Sequence, residues 1–287
     1  MLRQVCDRPL KQRKIKHTII LRKMTNNKFE YSRGDGILTP FETFLQYSDE
    51  KEQTSDKLAE LINSSPVSEW SLLDVGAGDG SFTGLYLSKV DSMPQTINVV
   101  EPSLDLADKL QPTLGALTDL PLLAIFNDSF QNYDTDRKFD IIVASHVPFT
   151  GDNMQELPDV YKKLLSLLSE DGRLLLVQRA DDDTHAFREK FKTLLTGTRY
   201  DSFLMNDAMA ILNRISRYTR ERMTIDCTNS ELLFPENNPA DRTTLIEFLL
   251  NIQWGQIPGH IQQQIDDYIS AKANRFTQHD GILTYKK

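Results

Sequence analysis

Three closely spaced glycines follow a short apolar run and form the strongest chemical signal in the sequence. The segment LLDVGAGDGSF spans residues 72–82 and places Gly76, Gly78 and Gly80 directly before a helical pattern. Such a turn needs glycine because positive φ carries little steric cost there and because a missing side chain lets backbone approach a ligand. In open α/β sheets, ligands bind beyond the carboxyl ends of the strands. The loop is therefore the first candidate for a ligand-binding site.

The spacing of these glycines argues against the common nucleotide sites. A dinucleotide site requires G-x-G-x-x-G, but the sixth position here is Ser81 and the third glycine comes one residue early. The loop also lacks the Lys-Ser/Thr pair with which a P-loop binds phosphates and Mg²⁺. NAD, FAD and nucleoside triphosphates are accordingly disfavoured as cofactors.

Short apolar runs alternate with helical patterns from Ser71 onward, which is typical of βαβ units and a mostly parallel sheet. Five runs are apolar on both faces, as burial between two helix layers requires, and predict strands at 71–76, 97–102, 122–126, 139–145 and 173–178. A sixth strand is predicted at 220–227. A last strand, at an edge of the sheet, is predicted after a turn at Asp280-Gly281. Segments with helical spacing predict helices at 41–64, 152–172, 184–195, 204–217, 241–254 and 259–274.

Residues 72–145 resemble the class I S-adenosylmethionine-dependent methyltransferases. The first motif of that family is an acidic residue followed by G-x-G-x-G where the first strand ends, and Asp74 precedes the three glycines here. The second motif, an acid that ends the next strand, is matched by Glu101 in VVEPS. The resemblance implies an α/β fold: a Rossmann-like, seven-stranded, mostly parallel sheet with helices on both faces, an antiparallel last strand and a helical lid or insertions.

The resemblance also implies a role for each polar residue around the loop. Glu101 is expected to accept hydrogen bonds from both ribose hydroxyls of the donor, and charge-assisted bonds of this kind contribute about 1.5–3 kcal/mol. Asp128, which follows the third strand in NDSF, would accept a bond from the adenine amino group, and Asp74 would orient the amino acid portion. As an alternative, Glu101 and Asp128 only cap the helices that follow them. The predicted cofactor is S-adenosyl-L-methionine, and its predicted binding residues are Asp74, Gly76, Ala77, Gly78, Gly80, Glu101, Pro102, Asp128, Ser129, Ser145 and His146.

His146 and Tyr31 are the predicted catalytic residues, and no metal site is predicted. Methyl transfer chiefly requires alignment of a nucleophile behind the methyl carbon, and such orientation is worth about 7–11 kcal/mol. His146 follows the fourth strand in ASHVPF and can serve as a general base, because an ordinary imidazole titrates near neutral pH. The alternative is a structural or donor-positioning histidine. Tyr31 belongs to an aromatic-rich segment before the first strand that is expected to form a lid over the donor.

Acceptor recognition is assigned to side chains outside the core. The aromatic residues of the lid segment, Phe41 and Phe44 among them, would form one wall, and Phe248, Trp254 and Tyr268 the opposite one. Packing within the core is the alternative for each of them. The order of these parts is similar to that of the histamine N-methyltransferase-like small-molecule methyltransferases, and this resemblance suggests a small amine as the acceptor.

Charge is distributed unevenly along the chain. The sequence has 33 basic and 41 acidic residues, and eight basic residues but a single acid lie in residues 1–23, so that the rest carries a net charge of −15. An acidic body repels phosphate backbones, which disfavours a nucleic acid partner unless the basic segment recruits it. The other interpretations of that segment are a flexible extension without function and a transit peptide, although the serine typical of the latter is missing.

We divide the chain into a flexible basic extension at 1–28, a helical lid at 29–66 and a methyltransferase domain at 67–287 with a helical insertion at about 235–275. Because no apolar run reaches the about 20 residues that cross a bilayer and no secretory signal is recognisable, a cytoplasmic enzyme without membrane contact is predicted. The predicted function is methyl transfer to a nitrogen or oxygen of a small-molecule acceptor by a monomer or homodimer. The alternatives are an RNA or protein acceptor, and a non-catalytic module that binds the donor or a partner.

Overall fold

A seven-stranded sheet forms the centre of the molecule. The computed structural model describes residues 39–65, 69–116, 123–147, 154–197, 203–215 and 222–287. The strands are β1 (Ser71–Val75), β2 (Thr96–Val100), β3 (Leu123–Phe126), β4 (Phe139–Ser145), β5 (Leu168–Arg179), β6 (Met223–Leu233) and β7 (Arg275–Lys286). They are arranged in the order β3-β2-β1-β4-β5-β7-β6, with β1 to β5 parallel and β7 antiparallel to both of its neighbours. The predicted mostly parallel sheet with an antiparallel last strand is confirmed.

Helices cover both faces of this sheet. Within the described ranges they are α1 (Pro40–Tyr47), α2 (Glu50–Asn63), α3 (Ser81–Leu87), α4 (Leu104–Gly115), α5 (Leu157–Ser166), α6 (Asp183–Thr196), α7 (Met205–Ile215), α8 (Pro239–Leu250) and α9 (Gly259–Ala271). Helices α2, α3 and α4 bury Leu58, Tyr86 and Leu110 against one face. Helices α5 and α7 bury Tyr161 and Leu212 against the other. The predicted layering of an α/β fold is confirmed.

A third apolar cluster joins α1, α6, α8 and α9 to the end of β6 and the start of β7. Phe44 of α1 is buried, and its ring centroid lies 5.1 Å from that of Phe248 in α8. Tyr268 of α9 packs edge-on against Phe276 of β7 with centroids 6.0 Å apart. Trp254 is partly buried against the same cluster. These aromatic side chains therefore adopt the packing role, which was the alternative to acceptor recognition.

The helix predicted at 41–64 is two helices. Thr39 caps α1 with a reciprocal capping box, and Pro40 occupies its first turn. The helix stops at Ser48, whose extended backbone forms an antiparallel bridge with Leu232 of β6. Because this bridge is a contact between distant segments, the local helical pattern could not reveal it.

The helix predicted at 152–172 is shorter than expected. Its first residues lie outside the described part of the chain, and α5 ends at Ser166. Leu168 already pairs with Phe139 of β4, so that β5 begins before Gly172. Pro158 lies in the first turn of the helix. Backbone N–H groups in the first turn make no intrahelical hydrogen bond, so the absence of an N–H in proline costs nothing there.

Asp280 and Gly281 do not form the predicted turn. Both lie inside β7, where Asp280 pairs with Arg179 of β5 on one side and with Thr228 of β6 on the other. Strand β7 is thus an interior strand, and the edges of the sheet are β3 and β6. The prediction was wrong because Asp-Gly is a local turn signal, whereas strand pairing on both sides is a long-range interaction. As a consequence, the Asp280 side chain is placed beside the end of β5.

Helix α2 lies along the sheet with its first turn at the carboxyl ends of the parallel strands. Glu50 in that turn forms an ion pair with Arg179, where β5 ends. At the other end of the helix, the Arg173 guanidinium donates a hydrogen bond to the carbonyl oxygen of Leu61 at 3.0 Å. Among the helices described above, none is long and apolar enough to cross a membrane.

Candidate active site

The glycine loop leaves β1 with a backbone that only glycine adopts readily. Gly76, Gly78 and Gly80 have φ of +73°, +61° and +82°, in the left-handed region that side chains disfavour. A Cβ added to Gly76 would lie 2.6 Å from Cγ2 of Val147, whereas a Cβ added to Gly78 would meet no heavy atom within 4 Å. Gly76 is therefore required by packing. Gly78 borders open space, as expected for a backbone segment that a ligand approaches.

Glu101 links this loop to the end of β2. Its carboxylate is buried, with 6% of the residue exposed, and accepts hydrogen bonds from the N–H of Gly78 at 2.8 Å and of Ser103 at 2.9 Å. Ser103 is the N-cap residue of α4, whose first turn has no side-chain cap, so the bond to Ser103 holds the turn that leads into the helix and does not cap the helix itself. A carboxylate offers about four lone-pair positions, of which these bonds use two. Glu101 can therefore also accept bonds from a ligand, and its role toward the ribose stays a prediction.

Asp74 is buried beneath the loop rather than open to it. The hydroxyls of Thr83 and Tyr86, both in α3, donate to its Oδ2 at 2.7 Å each. Burial raises the pKa of Asp74 to about 6; the two hydrogen bonds oppose the rise, and the Glu101 carboxylate adds to it. In the structure, Asp74 fixes the helix that follows the glycines. Its predicted role toward the amino acid portion of the donor stays untested.

Asp128 and Ser129 follow β3 beside the end of β2. Asp128 is exposed and accepts hydrogen bonds from the N–H of Ser129 at 2.6 Å and from the Asn132 side chain at 3.1 Å. The bond from the Ser129 N–H lowers the pKa of Asp128 below its ordinary value. The Asn127 side chain donates to the main-chain carbonyl of Glu101 at 2.8 Å and so joins the two loops. Asp128 therefore holds the loop after β3 together through these two bonds, while the 3-10 helix Phe130–Asn132 begins without a side-chain cap. It lies at the strand end where the adenine contact was predicted.

Ser145 and His146 end β4 on the other side of β1. His146 has a φ of +54°, and its main-chain N–H donates to the carbonyl of Val177 at 3.0 Å. Its Nε2 lies 3.2 Å from Oδ2 of Asp280 and 3.5 Å from Oε1 of Glu50. The Ser145 hydroxyl is buried and has no hydrogen-bond partner among the described residues. The structure thus holds the predicted catalytic histidine between two carboxylates that the sequence analysis did not single out.

These groups belong to a buried set of charges that we call the carboxyl-edge cluster: Glu50, His146, Arg179, Asp182 and Asp280. The guanidinium of Arg179 forms ion pairs with Glu50 and with Asp182. Burial acts to raise the pKa of Glu50 and of Asp280, but Arg179 lowers the pKa of Glu50 below its ordinary value. His146 and Arg179 hold the pKa of Asp280 well below its usual range. At the edge where β4 and β5 end, three carboxylates therefore face one guanidinium and one imidazole, and the Lys51 ammonium lies 3.5 Å from Glu50.

No local pattern could have identified this cluster. Glu50 lies in an ordinary helical segment, Arg179 ends a strand, and Asp280 belongs to what the sequence predicts as a turn. The members come together through the pairing of β5 with β7 and the packing of α2. The other predicted catalytic residue, Tyr31, lies outside the described residues, as do Phe29 and Phe149. Pro102, a predicted donor-binding residue, is exposed next to Glu101.

A glycine loop and an acid on the neighbouring strand, at the carboxyl ends of a 3-2-1-4-5-7-6 sheet, define a Rossmann-like methyltransferase. Residues 42–224 match the family described as "Methyltransferase domain". The chain belongs to this family. The predictions of a class I methyltransferase, of an enzyme and of S-adenosyl-L-methionine as its cofactor are thereby confirmed.

Solved structures agree on the fold. A candidate methyltransferase from Bacillus halodurans C-125 aligns with a TM-score of 0.55 at 12% identity, over 82% of this chain and 99% of that one. The YcgJ protein from Bacillus subtilis aligns with a TM-score of 0.51 at 14% identity, over 82% and 98%. An S-adenosylmethionine-dependent methyltransferase from Thiobacillus denitrificans, solved with S-adenosyl-L-homocysteine, gives 0.50 at 10% identity, over 83% and 91%. A search of curated proteins finds no match.

Proposed function

We propose that this methyltransferase transfers the methyl group of S-adenosyl-L-methionine to a nitrogen or oxygen of a small molecule, with an amine as the first candidate. The observation that carries the proposal is the open space at Gly78 beside the buried carboxylate of Glu101. A sulfonium donor supplies an electrophilic methyl carbon when it is bound. The protein then has to hold the donor, align the acceptor and exclude water.

The donor-binding residues are proposed to be those predicted from the sequence. Gly78 allows close approach, and Glu101 has free acceptor positions for hydroxyl groups. Asp128 lies at the end of the next strand, where an adenine amino group would donate to it. Ser145 and His146 lie on the opposite side of β1 from Asp128, at the end where the acceptor would meet the methyl group.

The charge of the carboxyl-edge cluster supports an amine acceptor. Its three carboxylates face two fixed cations, the Arg179 guanidinium and the Lys51 ammonium, which lies 3.5 Å from Glu50. With a neutral imidazole, the site therefore keeps an excess of one negative charge. An ammonium group is attracted to such a site, and its proton has an adjacent imidazole to move to. The net charge of −8 for the whole chain acts in the same direction at longer range.

The decisive experiment is incubation of the full chain with labelled S-adenosyl-L-methionine and an extract of its native cells, followed by identification of the labelled product by mass. A labelled metabolite of low mass is expected. Label in RNA or protein would instead support a macromolecular acceptor. Deletion of residues 1–23 tests the same alternative, because a basic segment that recruits such an acceptor would be needed for activity.

Donor binding can be measured without knowledge of the acceptor. S-adenosyl-L-homocysteine should raise the melting temperature by mass action, and NAD at the same concentration should not. Glu101→Ala should abolish most of that shift. Binding of S-adenosyl-L-homocysteine without any labelled product across a broad acceptor panel would favour a non-catalytic donor-binding module. A monomer or homodimer in the cytoplasm is the form in which we propose that the enzyme acts.

A further inference from the structure

The backbone at His146 is held in an unusual conformation. Its φ of +54° lies in a region that residues with side chains rarely occupy, although histidine is among those that tolerate it best. The hydrogen bond from its N–H to Val177 fixes this turn against β5. Sparsely populated backbone conformations persist where the surroundings enforce them, and they concentrate at functional sites. Here the conformation directs the imidazole toward β7.

The imidazole is oriented by one of its two nitrogens. Nε2 lies 3.2 Å from Oδ2 of Asp280, and the same oxygen accepts a bond from the Thr54 hydroxyl at 3.1 Å. Asp280 is 1% exposed, and its backbone pairs with a strand on either side, so its carboxylate has little freedom to move. Nδ1 of His146 makes no hydrogen bond with the described residues, and 24% of the side chain is exposed.

We propose that Asp280 is a positioning residue that holds His146 as the Nε2–H tautomer, so that Nδ1 is the nitrogen that accepts a proton from the methyl acceptor. The proposal rests on the proposed function. An anionic oxygen next to Nε2 requires a proton on that nitrogen, which leaves the lone pair on Nδ1. As the acceptor nitrogen bonds to the methyl carbon, the carbon–sulfur bond breaks and its electron pair stays on sulfur. The proton lost from the acceptor nitrogen moves to Nδ1, and the Asp280 carboxylate balances the imidazolium charge until solvent takes the proton.

The charges around His146 favour a proton over a metal ion. The groups that face it are Asp280 of β7, Glu50 and Lys51 of α2, and Arg179 of β5. Arg179 already forms an ion pair with Glu50, which leaves Asp280 as the carboxylate available to the imidazole. A divalent ion bound among these groups would lie close to a buried guanidinium, and the like charges would repel each other. A single proton carries less charge and needs no further ligands.

Two-bond ¹H–¹⁵N NMR spectra of the uniformly labelled full chain test the tautomer directly. The spectra should be recorded with S-adenosyl-L-homocysteine at a pH of about 9, above the ordinary imidazole range. The chain has five histidines, and His146→Gln identifies the signals of the one in question. The expected result is the Nε2–H pattern for His146. A dominant Nδ1–H pattern in the unaltered protein would overturn the proposal without any need for a variant.

Asp280→Asn and Thr54→Val form a matched pair of variants. The first removes the charge next to Nε2, while the second removes the other hydrogen bond to the same carboxylate oxygen. Asp280→Asn should populate the Nδ1–H tautomer, because an amide can donate to Nε2 as well as accept from it. Thr54→Val should keep the Nε2–H pattern. An unchanged tautomer in Asp280→Asn would contradict the proposed role of Asp280.

Kinetics with the acceptor from the labelling experiment provide a second readout. For Asp280→Asn, kcat should fall at least about tenfold, with KM for the donor within about twofold. An unchanged kcat would count against the proposal. Calorimetry with S-adenosyl-L-homocysteine keeps the two hypotheses separate: absent binding refutes the proposed function, whereas normal binding with the wrong tautomer refutes only this inference.

Discussion

Alanine substitutions at Gly76 and Gly78 should separate the requirements of folding from those of donor binding. Both residues have positive φ, +73° and +61°, so both substitutions force an alanine into the left-handed region. Their surroundings differ. A new Cβ at Gly76 would lie 2.6 Å from Cγ2 of Val147, while a new Cβ at Gly78 would enter space with no heavy atom within 4 Å.

The expected loss of stability has two causes: the left-handed backbone at both positions and, at Gly76, the overlap with Val147. The left-handed conformation costs an alanine about 1–2 kcal/mol at either position. At Gly76 the overlap with Val147 adds about 1–3 kcal/mol, because a β-branched side chain has few rotamers in which to move away. Gly78→Ala should therefore lower the free energy of unfolding by about 1–2 kcal/mol. Gly76→Ala should lower it by about 2–5 kcal/mol, the sum of the two costs.

In the folded proteins, Gly78→Ala should weaken the binding of S-adenosyl-L-homocysteine more than Gly76→Ala does. The methyl group of Gly78→Ala occupies the space through which the donor is proposed to approach the backbone. We expect its dissociation constant for S-adenosyl-L-homocysteine to rise at least about tenfold, which corresponds to about 1.4 kcal/mol. The folded fraction of Gly76→Ala should bind more nearly as the unaltered protein does.

Urea denaturation without ligand measures the first quantity, and titration calorimetry at a temperature where both variants are folded measures the second. The reasoning fails if Gly78→Ala binds S-adenosyl-L-homocysteine with unchanged affinity while folded. It also fails if Gly78→Ala is the less stable of the two variants, since that would mean that the crevice is filled by protein.

Three further predictions follow from the site and the fold. Because the pKa of Asp74 is raised from 3.8 to about 6 in the folded state, its stabilising contribution is complete only below about pH 3 and is lost as the pH rises through 6. The difference in unfolding free energy between the unaltered protein and Asp74→Asn should thus change by about 2 kcal/mol between pH 4 and pH 7, and a flat difference in urea titrations would refute the shift. Glu101→Gln should weaken S-adenosyl-L-homocysteine binding about tenfold or more in calorimetry. Asp128 is exposed, so Asp128→Asn should reduce the affinity less. Equal losses of affinity would argue against Glu101 as the main polar contact. Thr39→Ala removes the capping box of α1 and should cost about 0.5–2 kcal/mol of stability, measured by thermal denaturation. Donor affinity should not change; a loss of affinity would show that α1 borders the donor.

Local sequence patterns were sufficient to place the residues of the proposed donor side. The three glycines, Asp74 and Glu101 lie at strand ends that short apolar runs already mark. A strand followed by a tight turn and a helix is specified within about a dozen residues, because glycine geometry and helical periodicity act over short distances. For the same reason β4 was predicted with the bounds that the structure shows, Phe139–Ser145.

The surroundings of His146, on the proposed acceptor side, were decided by tertiary structure. Asp280 was predicted in a turn, Glu50 in the middle of one long helix, and Arg179 was not singled out, yet the three lie together around His146. Their proximity depends on a strand inserted between β5 and β6 and on a helix that breaks at Ser48 to pack across the sheet. Such contacts join residues more than a hundred positions apart. Strands and helices are predicted from local periodicity, which contains no information about the energy of contacts between distant residues.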